Sequence, residues 1–371
     1  MVAVAVPRYI AAFLCVLSME IIPGLPNDVA FECLIRISFD QFPKAASVSR
    51  AWNAVIKQPE FHRRREVSGL TRPVIVMAQS MDGLIKSNLF KVYRLTLFEP
   101  VKRRWRNFPP IPEMVEGMPV FCGVAGIGPE LVVIGGCDPV TCRVQNSVFI
   151  YDFISATWRR GADMPGEDRL FFGCATSEED GTVVVAGGHN GDNMSLKSTL
   201  AYDVARDTWT TLPDMSIERN ECRCVFHRGK FHILGGYNMD TQEDSKQPVE
   251  TLDLVTRQWR IINDTVTDYA IISAQATYVE IDGVIYTIKG RREMVALEDA
   301  TWVFVSRVPN NTSRVAYVTG WQGKMMVIIE NAENGRAKRA YVLELKTKKW
   351  TKVKIPSEFR GYVESGCCIH I

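Results

Sequence analysis

The apolar and polar positions divide the chain into two regions of different periodicity. Between positions 20 and about 66, the apolar side chains recur at helical spacing. From Arg72 onward this spacing disappears, and short β-rich runs alternate with glycine, proline and aspartate. The first region is therefore predicted to be helical, and the second to consist of sequential antiparallel strands. The clearest runs are Val74–Met77, Leu131–Ile134, Val183–Ala186, Phe231–Leu234 and Met325–Ile329.

The helical region predicts three short helices. Asn27 is placed to cap a helix that begins at Asp28, whose carboxylate suits the positive end of a helix. Pro43 starts a second helix, Pro59 ends it, and a third short helix continues through Phe61. A unit of this size buries little apolar surface, so we expect it to need a partner. The apolar side chains that it cannot easily bury alone are Leu25, Ile35, Val48 and Trp52.

The strongest pattern in the second region is a repeat of about 50 residues. Tryptophans recur at positions 105, 158, 209, 259, 302 and 350, with gaps of 53, 51, 50, 43 and 48. This period is that of the kelch repeat, in which each repeat forms one four-stranded blade of a β-propeller. The sequence therefore predicts a mainly β fold, a six-bladed kelch β-propeller preceded by the small helical domain.

Two further features recur in register with the tryptophans. An acidic residue stands six positions before the tryptophan in five repeats, and a glycine pair ends the preceding apolar strand in three. We expect the acid to accept backbone N–H bonds in a turn, and the glycines to turn the backbone where a side chain would clash. The tryptophan is expected to fill the space between adjacent blades. The acids are Glu99, Asp152, Asp203, Asp253 and Glu344, and the pairs are Gly135-Gly136, Gly187-Gly188 and Gly235-Gly236.

The repeats at the two ends of the propeller are incomplete. Blade one lacks an innermost strand, and Tyr362–Ile371 has the pattern of one additional strand, so we infer that the C-terminus completes this blade. Blade five keeps only Gly290, which precedes its tryptophan by 12 residues and predicts a short loop. Blade six has Glu330 and Asn331 in place of the glycines. The domains are thus predicted as an extension over 1–18, a helical domain over 19–66 and a propeller over 67–371.

The composition argues against a bulk electrostatic partner. Lys and Arg number 44 against 42 Asp and Glu, a net charge of +2, which does not favour nucleic acid or an anionic membrane. Ten cysteines are too few for a disulfide framework and favour a reduced chain in the cytoplasm and/or nucleus. The apolar stretch Tyr9–Leu17 follows Arg8 and is shorter than the about 20 residues that span a bilayer. We interpret it as an extension ahead of a start at Met19; a secretory signal peptide is the alternative, which the missing small-residue cleavage site disfavours.

The reactive side chains do not form a recognised catalytic or metal motif. Cys222 and Cys224 share one face of a predicted strand, where a soft metal could bind, but the C-x2-C spacing of structural zinc is missing. Small buried side chains are the favoured interpretation. There is no G-x-S-x-G, no H-E-x-x-H and no phosphate loop. We therefore expect no cofactor, no metal and no catalytic activity; a metal-dependent kelch enzyme is the alternative. The other cysteines in this comparison are Cys137, Cys142, Cys367 and Cys368.

The segments LPNDV at 25–29 and VSRAW at 48–52 resemble the F-box. An F-box followed by kelch repeats is typical of a large plant family. The longer segments IPGLPNDVAFECL, SVFIYDFISATWRRGADMPG and ERNECRCVFHRGKFHILGGY resemble the plant kelch F-box proteins that target phenylalanine ammonia-lyase. The chain departs from that pattern in its apolar leader before Met19 and in the missing glycines of blades one, five and six.

The resemblance implies a substrate-recognition subunit of a Skp1–cullin–F-box ubiquitin ligase. The F-box would bind a Skp1-like adaptor and through it cullin-1, while the propeller would hold a protein target for ubiquitination and degradation. The expected target is phenylalanine ammonia-lyase, so that the protein would lower phenylpropanoid flux. The alternatives are another client, such as a type-B cytokinin response regulator or another phenylpropanoid enzyme, and a scaffold with a non-functional F-box.

Two groups of residues are predicted to form the interfaces. The resemblance implies adaptor contacts at Leu25, Pro26, Ile35, Pro43, Val48 and Trp52. Target contacts are expected in loops that a rigid scaffold holds, where arginine and tyrosine are frequent anchors. The alternative for each of these residues is that it caps a turn. They are Asp138, Arg169, His189, Asn190, Asp192, Arg219, Tyr237, Asn238, Arg291 and Arg292.

Overall fold

The computed structural model describes most of the chain. The described residues are 20–85, 91–114, 117–238, 248–262, 277–290, 292–298, 301–309, 314–330 and 337–371. The predicted extension over 1–18 and the predicted contact Arg291 lie outside these residues.

The helical region contains four α-helices instead of the predicted three. The additional boundary lies at Ser49, whose backbone is extended (φ −155°, ψ 162°) and whose hydroxyl accepts the Trp52 N–H at 3.1 Å. Ser49 therefore ends one helix and caps the next, which splits the predicted second helix in two. The helices are α1 (Asn27–Leu34), α2 (Phe42–Val48), α3 (Arg50–Ile56) and α4 (Pro59–Val67), with a 3₁₀ turn at Phe39–Gln41.

The role predicted for Asn27 is wrong. Helix α1 begins at Asn27 itself, and the position before it is Pro26, which makes no side-chain cap. The Asn27 Oδ1 instead accepts the backbone N–H of Ile21 at 3.0 Å. The asparagine thus ties the incoming chain to α1, while Asp28 lies in the first turn as expected.

The second region forms six four-stranded antiparallel sheets, which confirms the mainly β fold and the six-bladed propeller. Blade one contains β1 (Pro73–Ile85), β2 (Lys91–Glu99), β3 (Arg104–Asn107) and β24 (Val363–His370). Blades two and three contain β4 (Gly123–Ile127), β5 (Glu130–Cys137), β6 (Val144–Asp152), β7 (Thr157–Gly161), β8 (Gly173–Ser177), β9 (Thr182–Ala186), β10 (Thr199–Asp203) and β11 (Thr208–Leu212). Blade four contains β12 (Arg223–His227), β13 (Lys230–Leu234), β14 (Val249–Asp253) and β15 (Gln258–Ile262). Blades five and six contain β16 (Val279–Ile281), β17 (Val284–Lys289), β18 (Glu293–Glu298), β19 (Thr301–Arg307), β20 (Arg314–Trp321), β21 (Lys324–Glu330), β22 (Ala337–Glu344) and β23 (Lys349–Val353).

The C-terminal strand is the innermost strand of blade one. Strand β24 pairs antiparallel with β1, so that Pro73 lies opposite His370 and Val76 opposite Cys367. On its other side, the Ser365 hydroxyl donates to the carbonyl of Cys122 at 3.5 Å, next to blade two. The ring is thus completed by residues from the two ends of the strand-rich region.

In blades two, three and four, which we call the regular blades, the turn acids behave as predicted. The Asp152 carboxylate accepts the N–H of Ile154 at 2.8 Å, and Asp253 accepts the N–H groups of Val255 and Thr256 at 3.0 Å. Glu99 in blade one differs, because its buried carboxylate forms ion pairs with Lys102 and Arg106 instead. The shared acid therefore accepts backbone N–H groups of the turn where it is aspartate, whereas Glu344 accepts the Thr347 hydroxyl at 2.9 Å.

The second glycine of each pair lies where the preceding inter-blade connector passes close to the strand. Gly188 has φ +89°, and a Cβ there would lie 2.4 Å from the Leu170 carbonyl oxygen. Gly136 has φ +96°, with the Val120 carbonyl oxygen 2.7 Å from the same virtual atom. Both the backbone conformation and the space exclude a side chain, which confirms the predicted reason for the pair.

Five of the repeat tryptophans join their blade to the previous blade in the ring. Each indole N–H donates to an oxygen atom at the end of the outer strand of that previous blade, or in the connector that follows this strand. The bonds run from Trp105 to Lys354 O (3.0 Å), Trp158 to Pro109 O (3.2 Å), Trp209 to Ala162 O (2.9 Å), Trp259 to Pro213 O (2.7 Å) and Trp350 to Ser306 Oγ (2.9 Å). The predicted position between blades is confirmed, and the indole bond adds a specific polar link to the packing.

The helical region packs directly on one end of the propeller. The ring of Phe39 meets Phe153, in the turn after β6, edge to face at 6.4 Å. The buried Arg65 of α4 donates to the carbonyls of Ile37 (2.8 Å) and Ile371 (3.5 Å), among others. Apolar side chains of the helices and of blades one and two form one continuous core. The two regions are therefore held in one relative orientation.

Candidate functional site

The helical region presents apolar side chains on its outer surface. Leu25, Val29 and Val48 are 40%, 44% and 63% exposed. A groove of about 600 Å³ lies between α1 and the start of α4. Exposed apolar surface of this kind marks an interaction site. The groove is lined by Ile21, Asn27, Asp28, Val29, Phe31, Glu32, Val55, Gln58, Glu60 and Arg64.

The charges at the rim of this groove are partly neutralised within the chain. The Glu32 carboxylate bonds to Arg36 at 2.5 Å and to Arg64 at 2.8 Å, and these hydrogen bonds lower the pKa of Glu32. Because both partners are largely exposed, each pair contributes little stability. The apolar wall, which includes Val29 and Phe31, is therefore the dominant feature for a partner. The adaptor contacts predicted from the sequence did not include Val29 or this groove.

The structure separates the six predicted adaptor contacts into three groups. Leu25, Pro26 and Val48 are exposed and form the first group. Pro43 and Trp52 are half-buried and form the second, and the Trp52 indole N–H donates to the Ile21 carbonyl at 2.8 Å. Ile35, which is buried, is the third.

The structure contradicts the predicted adaptor contact at Ile35. It is fully buried in the shared core, and its carbonyl accepts a bond from Arg65. It therefore supports the domain from inside and presents no surface to a partner.

The predicted target contacts that the structure describes lie at the opposite end of the propeller from the helices. The helical region packs near Pro73, Phe153 and Ile371, at one end of the strands. The glycine pairs lie at the other end of the same strands, as the pairing of Glu130 with Asp152 and of Cys137 with Val144 in β5 and β6 shows. We call this end the loop face; it consists of the described residues 138–143, 189–198 and 237–238 and the inter-blade connectors 162–172 and 213–222.

The structure contradicts the predicted target contacts at Arg169 and Arg219. They are 1% and 0% exposed. Arg169 donates to the Gly187 carbonyl at 3.2 Å. Arg219 donates to the Gly235 carbonyl at 2.8 Å and to Glu250 Oε1 at 2.9 Å. Each arginine thus anchors a connector to a glycine pair from inside, and neither is available to a target.

Asp138 and Asn190 cap turns, which is the alternative that the sequence left open. Asp138 Oδ1 accepts the N–H groups of Val140 (2.9 Å) and Thr141 (2.7 Å), and these backbone bonds lower the pKa of Asp138. Asn190 Oδ1 accepts the N–H of Met194 at 3.0 Å, and its amide donates to Glu167 at 2.6 Å. Both side chains therefore stabilise the conformation of loops on the loop face.

The remaining predicted contacts differ in exposure. Asp192 is exposed, whereas His189 is buried with its Nδ1 2.9 Å from Asn220 Oδ1. Tyr237, Asn238 and Arg292 are half-buried. The Tyr237 hydroxyl donates to Glu221 at 3.3 Å, and the Asn238 amide donates to Glu218 at 3.0 Å.

An aromatic stack on the loop face escaped the sequence prediction. The rings of Phe121 and Phe171 stack with centroids 4.2 Å apart, and Phe171 stacks on His189 at 5.4 Å. Phe121 and Phe171 are half-buried and have left-handed backbones, with φ 59° and 53°. Their spacing of one repeat, 50 residues, was the available signal, because it places them at equivalent positions of blades two and three.

A central channel opens beside this stack. Burial raises the pKa of Glu364 to about 7, and the Glu364 Oε1 accepts the Phe121 N–H at 2.7 Å. Burial also raises the pKa of the Cys174 thiol to about 12. Among the described residues, no three His, Cys, Asp or Glu side chains are grouped to hold a metal ion. The channel measures about 210 Å³, and its wall includes Cys122, Cys174, Cys222, Cys224, Tyr317 and Glu364.

Comparison with known proteins connects these surfaces to a family. The F-box domain matches residues 22–64, and the kelch motif matches residues 118–165 and 172–216. The F-box/kelch-repeat protein At1g80440 of Arabidopsis thaliana is 38% identical over 360 residues, which cover 95% of this chain and 100% of the relative. This chain belongs to the F-box/kelch-repeat family. The relative At1g15670 from the same plant is 36% identical over 365 residues, with the same coverage of both chains.

The family assignment gives both surfaces a coarse role. An F-box joined to kelch repeats indicates a substrate-recognition subunit of a Skp1–cullin–F-box ligase, in which the F-box binds Skp1 and the propeller binds a protein target. The F-box/kelch relatives suggest a non-catalytic receptor. In the part of the chain that the structure describes, no helix is long and apolar enough to cross a membrane.

Proposed function

We propose that this F-box/kelch-repeat protein selects phenylalanine ammonia-lyase for ubiquitination and so lowers phenylpropanoid flux. The support for this client is the resemblance of residues 22–34, 147–166 and 218–237 to the plant proteins that target the lyase. The proposed site of action is the cytoplasm and/or nucleus, in agreement with ten cysteines and no disulfide framework.

The arrangement of the two faces carries the receptor part of this proposal. The apolar F-box surface around Leu25 and Val48 lies at one end of the molecule, and the loop face lies at the other. One core and the Arg65 bonds join them without an intervening linker. An adaptor bound to the F-box would therefore hold a target on the loop face in a defined position relative to the ligase.

The test uses the full-length chain, because deletion of the F-box would expose the core that it shares with blades one and two. The wild type and the double variant Leu25→Ala/Pro26→Ala are affinity-purified from plant cells. We expect the wild type to capture Skp1 and the variant to lose it. The variant should also accumulate the lyase, because a client that is bound but not ubiquitinated is not degraded.

The matched control is Val67→Ala, at the end of α4 and outside the groove, where the side chain is 76% exposed. It should capture Skp1 like the wild type. If Skp1 is captured but the lyase is absent from every preparation, the client assignment is wrong while the receptor role stands. A type-B response regulator in place of the lyase would identify the alternative client.

A further inference from the structure

The loop face combines an apolar stack with an acidic surround. The half-buried rings of Phe121 and Phe171 belong to residues that directly precede Cys122 and Phe172 in the wall of the central channel. On the adjoining connectors, Glu167, Asp168 and Asp214 are exposed. Aromatic side chains that are held rigidly and only half-covered are frequent anchors of protein interfaces.

The charge of the two connectors beside the stack is one-sided. Connector 162–172 carries one cation, Arg169, and connector 213–222 carries one cation, Arg219. Both guanidinium groups are buried and bonded inside the blades. The accessible charges of these connectors are therefore all negative. On adjoining segments, Arg160 pairs with Asp163 at 3.0 Å, and Arg143, Lys197 and Arg223 are exposed. The acids of the two connectors are Asp163, Glu167, Asp168, Asp214, Glu218 and Glu221.

The two rings occupy equivalent positions of consecutive blades. Phe121, Phe171 and Glu221 each precede the first strand of their blade, and all have positive φ, between 53° and 59°. This left-handed conformation is a feature of the repeat, and it places a phenylalanine ring in blades two and three and a carboxylate in blade four.

We propose that the loop face binds a lysine- or arginine-rich segment of the target, with the aliphatic stems of the cations against Phe121 and Phe171 and the charges toward the acidic connectors. Long basic side chains combine an apolar stem with a charged end, which matches a ring edge surrounded by carboxylates. This inference rests on the proposed receptor function and defines the chemical class of the recognised segment.

A random-peptide phage library is the probe, selected on the full-length wild-type chain. We expect the selected peptides to be enriched in lysine and arginine, and their synthetic forms to bind more weakly as salt concentration rises. Enrichment of acidic or neutral peptides, or no enrichment, would overturn the proposal.

Phe171→Gly is the decisive variant, because glycine accepts the left-handed backbone at φ 53° and removes the ring without adding strain. We expect the folded protein to keep its thermal stability and to bind the selected peptides about tenfold more weakly. Asp168→Asn/Asp214→Asn should reduce both affinity and its dependence on salt. Unchanged peptide binding in both variants would refute the proposed site.

The control is Phe304→Ala, which removes a ring that is 56% exposed on the outer strand β19 and should leave peptide binding unchanged. Skp1 capture by each variant is measured separately. A chain that binds basic peptides but not Skp1 would contradict the receptor function and not the peptide site; the reverse result would contradict the peptide site alone.

Discussion

The F-box and the regular blades of the propeller are stabilised by contacts of different range. Each regular blade repeats the same links to its neighbour, such as the indole bonds of Trp209 and Trp259 to the preceding connectors. The F-box instead packs on the propeller through one shared apolar core and one buried cation, Arg65, which bonds to a carbonyl 306 positions away. The stability of the propeller is therefore distributed over many equivalent contacts, whereas that of the F-box depends on one interface that is not repeated.

The largest effect is expected for the buried ion pair between Arg219 and Glu250 in blade four. Arg219→Met leaves Glu250, which is 0% exposed, without its cation. Removal of one partner of a buried ion pair costs about 3–5 kcal/mol. Urea denaturation should show this loss in the free energy of unfolding of the whole propeller. Arg206→Met is the control, because its pair with Asp203 is exposed and contributes at most about 1 kcal/mol. Equal losses in the two variants would contradict the buried role.

Arg65→Met tests whether the F-box depends on its contacts with the propeller. The variant leaves the carbonyls of Ile37 and Leu70 without a bond from the guanidinium and should cost about 3 kcal/mol. Hydrogen exchange should accelerate in α1–α4 and remain slow in the strands of blades three and four. Arg64→Met, on the exposed side of the same helix, should leave exchange unchanged. Acceleration across all blades would show that the two regions unfold as one unit.

Acid is expected to destabilise both regions through buried histidines. Burial lowers the pKa of His62 in the F-box and of His232 in blade four, each to about 4. The unfolded side chain has a pKa near about 6.5, so the unfolded state binds protons first as the pH falls. The contribution of each histidine to the free energy of unfolding is therefore complete above about pH 6.5 and is lost progressively toward pH 4, by on the order of 3 kcal/mol.

His62→Phe separates the contribution of the F-box from that of the blade. Its ring would occupy a site already flanked by Phe42 and Phe61, and it does not titrate. The stability of the helices should then fall less between pH 7 and pH 4 than in the wild type, as measured by thermal unfolding. A variant with the same pH dependence as the wild type would show that His62 is not the titrating group.

The smallest effect is expected for one of the repeated links. Trp209→Phe keeps an aromatic ring between blades two and three but removes the bond to the Ala162 carbonyl, and should cost about 1 kcal/mol. Trp209→Ala also removes the ring and should cost about 3–5 kcal/mol. The difference between the two variants in denaturant titration measures the packing contribution. Equal losses would assign the whole effect to the hydrogen bond.

The accuracy of the sequence predictions follows the same division between local and long-range contacts. The turn role of Asp253 could be predicted, because it depends on neighbouring backbone. The glycine pair at Gly187 and Gly188 could be predicted because it recurs in register with the tryptophans, although the Leu170 and Arg219 carbonyls that require it lie in separate connectors. The split at Ser49 was missed, because one capping hydroxyl does not change the apolar periodicity. Arg169 was assigned to the surface because it lies in a polar connector, whereas its burial depends on carbonyls contributed by another strand.

The sequence by itself determined the two-region organisation, the number of blades and the family, because helical spacing and a repeat of about 50 residues are periodic properties of the chain. Tertiary structure alone decided that the F-box packs on the face opposite the glycine-pair loops, and that Phe121 and Phe171 stack beside the channel. These features join residues from separate strands and connectors. Their distances depend on how the helices and the neighbouring blades pack, which a periodic pattern along the chain does not specify.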